Sequence, residues 1–175
     1  MMGVATESGL KAALNGTSGT VTSYLEDLVG ERIAAKRYHH ERIDAPALND
    51  LGVEEGEPLL RRAAILQGSV SGSAYVYAES LIVVSRLPAR FFHRLETSTD
   101  PIGRLLEEAG IAVTREGLVE RLGIAMDRPW NFDEIVHGYV LERTYRIDSK
   151  QSPLMIISEW FLGTLAPFFP DGVDR

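Results

Sequence analysis

The 175-residue sequence contains no cysteine, which excludes disulfide scaffolds, thiolate metal sites and cysteine nucleophiles. Positive charge is also scarce, because 18 Lys and Arg against 25 Asp and Glu give a net charge of -7. A general nucleic-acid surface needs the opposite balance, so no nucleic-acid partner is expected. No apolar run reaches the roughly 18 residues of a membrane helix and no signal peptide is visible, so we expect a cytoplasmic protein without a membrane partner.

Motifs that bind phosphates or activate a serine are missing as well. Neither G-x-G-x-x-G nor G-x-x-x-x-G-K-[ST] occurs, and "GSVSG" places its serines wrongly for G-x-S-x-G. Adjacent His39 and His40 would face opposite sides of a strand, so they do not chelate one metal together. The sequence therefore indicates neither a metal nor an organic cofactor.

What the sequence does contain is a series of β-compatible runs interrupted by short helical patterns. Residues 1–19 are expected to be a flexible N-terminal segment, and residues 20–170 a single domain. Thr22 is a plausible N-cap for the first helix. Residues 111–125 fit either a strand to about Val119 or a strand followed by a helical turn. The order of strand, hairpin, helices, strand and hairpin predicts an α+β fold on a central, mostly antiparallel β-sheet flanked by helices.

Two charged residues fall on the apolar sides of predicted strands. In "SPLMIISEWFL", alternation places Glu159 on one side with Met155, Ile157 and Phe161. In "LLRRAAIL", Arg62 shares a side with Leu60, Ala64 and Leu66, while Arg61 points the other way. An ionised group buried alone costs several kcal/mol or becomes neutral. The two charges are therefore a buried ion pair, two ends of a cavity that holds a polar ligand, or charges at strand ends that reach solvent.

Several segments in this order resemble the chorismate pyruvate-lyase family, particularly its branch outside ubiquinone biosynthesis. They are "GTVTSYLE", "LLRRAAIL", "YAESLIVVSRLP", "DPIGRLL", "RTYRI" and "PLMIISEWF". The resemblance implies an antiparallel sheet with an enclosed pocket under two helical flaps, an architecture shared with the effector-binding domains of some transcription regulators. It also implies a cofactor-independent lyase that eliminates pyruvate from chorismate to leave 4-hydroxybenzoate, so the expected partner is a small aromatic or pre-aromatic carboxylate.

Site residues follow from the same resemblance. The arginine that binds the ring carboxylate corresponds to Arg62, with Arg61 as the alternative one residue away. The glutamate facing the ether and hydroxyl end of the substrate corresponds to Glu159. Backbone N–H groups that bind the carboxylate correspond to Val21 and Ile102.

The sequence also departs from the family. Better-known lyases carry a second arginine on the return strand of the hairpin, where this sequence has Glu79 in "YAES". The resemblance thus implies Glu79 beside the substrate, with Arg115 or Arg143 as a replacement cation. Residues 117–140 form a longer segment than in compact members and would extend a flap or add a helix. Two alternatives stay open: an enzyme of specialised metabolism acting on another small carboxylate or carbonyl compound, and a non-catalytic ligand-binding module.

Overall fold

The structure, a computed structural model, describes residues 20–121 and 139–168. The expected flexible segment 1–19 and most of the long segment 117–140 lie outside these residues. In chain order the helices and strands are α1 Val21–Val29, β1 Ile33–Asp44, β2 Pro58–Gly68, β3 Ala74–Val83, α2 Ala89–Thr97, α3 Ile102–Glu108, β4 Thr114–Arg121, β5 Tyr139–Ser149 and β6 Ser152–Leu162. Short 3-10 helices follow β3 at Val84–Arg86 and β6 at Gly163–Phe168.

The strands form one six-stranded sheet in the order β1-β2-β3-β6-β5-β4, and all neighbours are antiparallel. This arrangement confirms the predicted α+β class and both predicted hairpins, β2–β3 and β5–β6. The ambiguous stretch after Gly110 forms strand β4, which pairs with β5 at one edge of the sheet. Within the described ranges, no helix is long and apolar enough to cross a membrane.

Helix α1 begins one residue after Thr20, whose hydroxyl oxygen accepts a hydrogen bond from the backbone N–H of Ser23 at 3.2 Å. The prediction that Thr22 caps this helix was wrong, because Thr22 lies inside the first turn and is buried. Gly30 ends the helix in the left-handed conformation with φ 74, which glycine adopts without a Cβ penalty. Leu25 is fully buried against the sheet.

Helices α1, α2 and α3 all cover the same side of the sheet, here called the pocket face. Cross-strand partners on this face form four rows across β2, β3, β6 and β5. The two outer rows are apolar and consist of Leu66, Val76, Phe161 and Leu141 under α1, and of Leu60, Ile82, Met155 and Ile147 under α2 and α3. All charged residues of these four rows lie in the two inner rows. One inner row consists of Arg62, Ser80, Ile157 and Tyr145, and the other consists of Ala64, Ala78, Glu159 and Arg143.

The N-termini of α1 and α3 meet above the inner rows. A Cβ placed on Gly103 would lie 2.9 Å from the Cβ of Thr20, so only glycine permits this approach. Arg104 on α3 forms ion pairs with Glu26 on α1 and with Asp100, which precedes α3. The contact and the ion pairs hold the two helix ends together as a roof over the sheet.

Candidate active site

A cavity of about 190 Å³ lies between the roof and the inner rows of the pocket face. A cavity of about 150 Å³ lined by apolar side chains is enough to bind benzene, so this space accommodates one six-membered ring. The outer apolar rows close it on two sides, because they pack against the helices. Its polar and charged lining residues are Thr20, Thr22, Arg62, Ser80, Glu107, Arg115, Tyr145 and Glu159.

Arg62 supplies the buried cation of the cavity. Its side chain enters from β2 and the residue is only 5% exposed. Burial lowers its pKa to about 10, and the charge of Arg37 adds to this effect, so the guanidinium is still protonated at neutral pH. Its Nε has no hydrogen-bond partner within the described part of the chain. Arg61 is exposed and points to the other face, as the strand alternation predicts.

Glu159 supplies the buried acid. The residue is 4% exposed, and its Oε1 accepts a 2.9 Å hydrogen bond from the hydroxyl of Tyr145. Burial raises the pKa of Glu159, while the charge of Arg143, the Tyr145 hydroxyl and the charge of Arg115 act in the opposite direction. Among the described residues, nothing hydrogen-bonds to its Oε2. Burial therefore favours the neutral carboxylic acid over the carboxylate.

Arg62 and Glu159 line the same cavity from two strands that are separated by β3. They also lie in adjacent rows, so strand spacings place their Cα atoms roughly 12 Å apart. The floor between them consists of the small residues Ala64, Ala78 and Ser80. Of the arrangements that the sequence left open, the structure has the two ends of a cavity, since both residues are buried and both line it.

The first residues of α1 and α3, Val21 and Ile102, also line the cavity. N–H groups in the first turn of a helix have no intrahelical acceptor, so they can donate to an anion. The geometry therefore brings main-chain donors, a buried arginine and a buried acid to one space.

The cavity has a rim where exposed residues meet it. Glu107 at the end of α3 and Arg115 on β4 are exposed yet line the cavity, and Val113 beside them is 37% exposed. Arg115 is opposite Ile147 in the β4–β5 register, so it lies on the pocket face. A second cation thus stands at the rim, on the side of the cavity where Glu159 lies.

Two other predicted site residues take different positions. Arg143 is buried on the pocket face opposite Glu159, but it is not among the described residues that line the cavity. Glu79 lies on the opposite face of the sheet, where its carboxylate accepts a 2.9 Å hydrogen bond from the hydroxyl of Tyr77. The expectation that Glu79 is beside the substrate is therefore corrected, because strand alternation turns it away from its neighbours Ala78 and Ser80.

Sequence reasoning missed Tyr145 and Ser80 as cavity residues. Tyr145 is two residues from Arg143 and so shares its face, which was the signal available in "RTYRI". Ser80 is the cross-strand partner of Arg62, a relationship that only the register reveals.

The described residues hold no group of three or more His, Cys, Asp or Glu side chains that could bind a metal ion. His39 and His40 are partners of Ala63 and Arg62 respectively, so they do face opposite sides of the sheet as predicted.

Solved structures similar to this one show the same fold at low sequence identity. The effector domain of PhnF from Mycobacterium smegmatis aligns with a TM-score of 0.58 and 14% identity, covering 83% of this chain and 90% of that one. A structure of PhnF from the same organism aligns with a TM-score of 0.61 and 14% identity, covering 85% of this chain and 66% of that one. The C-terminal domain of the histidine utilization repressor from Pseudomonas syringae has a TM-score of 0.52 at 13% identity, covering 76% of this chain and 93% of that one.

Sequence relatives are closer. A protein of Mycobacterium tuberculosis strain CDC 1551 named chorismate pyruvate-lyase is 32% identical over 158 residues, which are 86% of this chain and 76% of that protein. A protein of Mycobacterium leprae with the same name is 31% identical over 168 residues, 91% of this chain and 77% of that protein. The model of the family described as Chorismate pyruvate-lyase Rv2949c-like matches residues 16–168. The chain belongs to this chorismate pyruvate-lyase family.

Proposed function

We propose that the protein eliminates pyruvate from chorismate and leaves 4-hydroxybenzoate. The observation that carries this proposal is the pair Arg62 and Glu159, a buried cation and a buried acid on the floor of one ring-sized cavity. The relatives named chorismate pyruvate-lyase support the choice of substrate.

Arg62 would hold the ring carboxylate at the deep end of the cavity. A guanidinium can donate two parallel hydrogen bonds to a carboxylate, each contributing about 1.5–3 kcal/mol. The free N–H groups of Val21 and Ile102 would donate from the roof to the same carboxylate. Since the floor beside Arg62 consists of alanine and serine, the ring can lie flat against the sheet.

Arg115 would hold the second carboxylate, which belongs to the enolpyruvyl side chain. It lies at the rim and lines the same cavity as Glu159, so both side chains can face the enolpyruvyl substituent. This residue would take the place of the second family arginine, whose position Glu79 occupies on the other face. The side chain to be eliminated would then point toward the opening.

Glu159 would supply the proton. In its protonated form it can donate to the ether oxygen as the C3–O bond breaks and the electron pair leaves with that oxygen. The resulting carboxylate can then remove the proton at C4, which completes the aromatic ring and returns Glu159 to its protonated form. The enol released becomes pyruvate. Glu159 donates one proton and takes one back in the elimination, and the enol tautomerises to pyruvate by proton exchange with water, so the proposed step needs no metal or organic cofactor.

The test is to incubate the purified protein with chorismate and to follow both 4-hydroxybenzoate and pyruvate. Arg62→Ala is expected to lower kcat/KM at least about 100-fold, since a charge-assisted bidentate contact is lost. Arg61→Ala is the matched control, because Arg61 is exposed on the opposite face, and its activity should remain within about twofold of wild type.

Three other outcomes would contradict the proposal. Tight binding of 4-hydroxybenzoate without turnover would indicate a ligand-binding module. Absence of both turnover and binding would indicate another small carboxylate or carbonyl substrate. Equal losses in Arg61→Ala and Arg62→Ala would remove the assigned role of Arg62.

A further inference from the structure

The Tyr145–Glu159 hydrogen bond distinguishes the two oxygens of the acid. The Tyr145 hydroxyl is 2.9 Å from Oε1, whereas Oε2 has no hydrogen-bond partner among the described residues. Both residues are buried, and both line the cavity. A carboxyl group with one oxygen engaged and the other free has a defined direction for its proton.

The ring of Tyr145 is itself held by charge. The guanidinium carbon of Arg143 lies 5.4 Å from the ring centroid, and that of Arg115 lies 5.7 Å from it. Both distances fall within the roughly 6 Å range of a cation–π contact. Because Arg143 and Tyr145 are two residues apart on β5, the strand fixes the first of these contacts. The phenol is therefore held in one orientation toward Glu159.

We propose, on the basis of the lyase function above, that Tyr145 is a positioning residue that occupies Oε1 of Glu159 and thereby places the carboxyl proton on Oε2, from which it passes to the substrate. A phenol that donates to Oε1 requires that oxygen to be an acceptor. In a neutral carboxyl group the C=O oxygen is a stronger acceptor than the O–H oxygen, so this hydrogen bond favours the C=O group at Oε1 and the O–H group at Oε2. The side chain of Tyr145 acts on the reaction only through Glu159.

The ionisation of both groups agrees with this assignment. Burial, followed by the charge of Glu159, raises the pKa of Tyr145 well above its ordinary value, so the phenol keeps its proton and remains the donor. Burial raises the pKa of Glu159 as well. The charged and titratable groups on the elements around Glu159 are Arg143 and Tyr145 on β5, Arg115 on β4, Arg62 on β2 and Glu107 on α3.

The first test is the pH dependence of turnover in Tyr145→Phe. Activity that needs protonated Glu159 is present at low pH and is lost as the pH rises through its pKa. The hydrogen bond from Tyr145 stabilises the carboxylate and lowers that pKa, so its removal should move the loss of activity to higher pH. We expect kcat to fall about tenfold with KM within twofold, because the proton is no longer directed.

Tyr77→Phe is the matched control. Its hydroxyl also donates to a glutamate at 2.9 Å, but on the opposite face of the sheet. The pH profile of this variant should coincide with that of wild type. A profile of Tyr145→Phe that coincides with wild type, or a shift of equal size in both variants, would overturn the inference.

A second measurement does not need turnover. The infrared C=O band of a protonated carboxyl, identified by subtracting Glu159→Gln from wild type, should lie at the lower frequency of a hydrogen-bonded carbonyl and rise in Tyr145→Phe. A missing band, or one that does not move, would overturn the inference even in an active enzyme. If wild type fails to convert chorismate but the band moves as expected, the proposed function fails while the proton placement stands. If Tyr145→Phe does not fold, the wild-type band tests the inference alone: a frequency typical of a hydrogen-bonded carbonyl supports it, and a frequency typical of a free carbonyl overturns it.

Discussion

Arg143 and Glu159 lie directly opposite each other on β5 and β6, and both residues are buried, at 5% and 4% exposure. Two groups of opposite charge in such positions would ordinarily be interpreted as a structural ion pair. Here burial outweighs the attraction, and the pKa of Glu159 is raised despite the neighbouring guanidinium. The relationship is that of a buried acid whose pKa is raised although a cation lies next to it, and perturbed acids of this kind are typical of functional sites.

The raised pKa of Glu159 makes stability depend on pH. The folded protein holds this proton more tightly than the unfolded chain, whose glutamate has a pKa near 4.5. The stabilisation is fully present below that value and is lost as the pH rises through the folded-state pKa. Glutamine does not titrate, so Glu159→Gln does not lose this stabilisation as the pH rises. The free energy of unfolding of Glu159→Gln minus that of wild type should therefore increase with pH, by about 1.4 kcal/mol for each pH unit that separates the folded and unfolded pKa of Glu159.

Urea denaturation of both proteins at pH 4, 6 and 8 would measure this difference. Glu55→Gln, in an exposed loop, is the control, and the difference between its free energy of unfolding and that of wild type should be the same at all three pH values. A constant difference between Glu159→Gln and wild type across this range would show that the pKa of Glu159 is not raised.

Arg115→Gln should separate the substrate from the product. Chorismate has two carboxylates and 4-hydroxybenzoate has one. The loss of a cation at the rim should therefore weaken the binding of chorismate and leave the binding of 4-hydroxybenzoate unchanged. We expect the KM for chorismate to increase about tenfold, since one charge-assisted contact contributes about 1.5 kcal/mol or more. The Kd of 4-hydroxybenzoate, measured by calorimetry, should change less than twofold.

Arg146→Gln is the control for that experiment, because Arg146 is partnered with Ile156 on the opposite face and pairs with Asp148. Equal weakening of substrate and product in Arg115→Gln would instead place Arg115 at the ring carboxylate.

Ala78→Val should fill the cavity floor while leaving the sheet intact. Ala78 lies between Ala64 and Glu159 in its row, and a β-branched residue is favourable in a strand. The added methyl groups would occupy the space of the ring, so the affinity for 4-hydroxybenzoate should fall at least about tenfold. Ala34→Val, on the opposite face of β1, should bind as wild type does. Undiminished binding by Ala78→Val would place the ligand elsewhere.

Gly103→Ala should loosen the roof. Alanine is favoured over glycine in a helix by about 1 kcal/mol, but its Cβ would lie 2.9 Å from the Cβ of Thr20. We expect a net loss of about 1–3 kcal/mol in the free energy of unfolding and weaker binding of 4-hydroxybenzoate. Adding Thr20→Gly removes the clash and costs only a few tenths of a kcal/mol at an N-cap, so the double variant should recover. No recovery would mean that this contact does not hold the roof.

Strand alternation in the sequence was enough to place Arg62 and Glu159 on apolar faces, and the hairpins and sheet class followed from polar interruptions between strands. These features are local, since a period of two and a turn depend on neighbouring residues alone. The wrong prediction at Thr22 also came from neighbouring residues alone. Three threonine or serine residues in "TVTS" are all acceptable caps, and which one starts the helix depends on where the chain meets the roof.

Local patterns did not place Glu79 correctly. Its place in the order of segments suggested a site residue, but its neighbours in the chain face the cavity and it does not. Tyr145 shows the converse, because its contact with Glu159 joins two strands through their register.

Residue order alone was sufficient to predict an antiparallel sheet with one cation and one acid on apolar strand faces. The folded arrangement was needed to show that the two line one cavity rather than neutralise each other, and that a tyrosine hydrogen-bonds to one oxygen of the acid. The reason is that strand order and register set distances between residues far apart in the chain, and the energy of a buried charge depends on those distances.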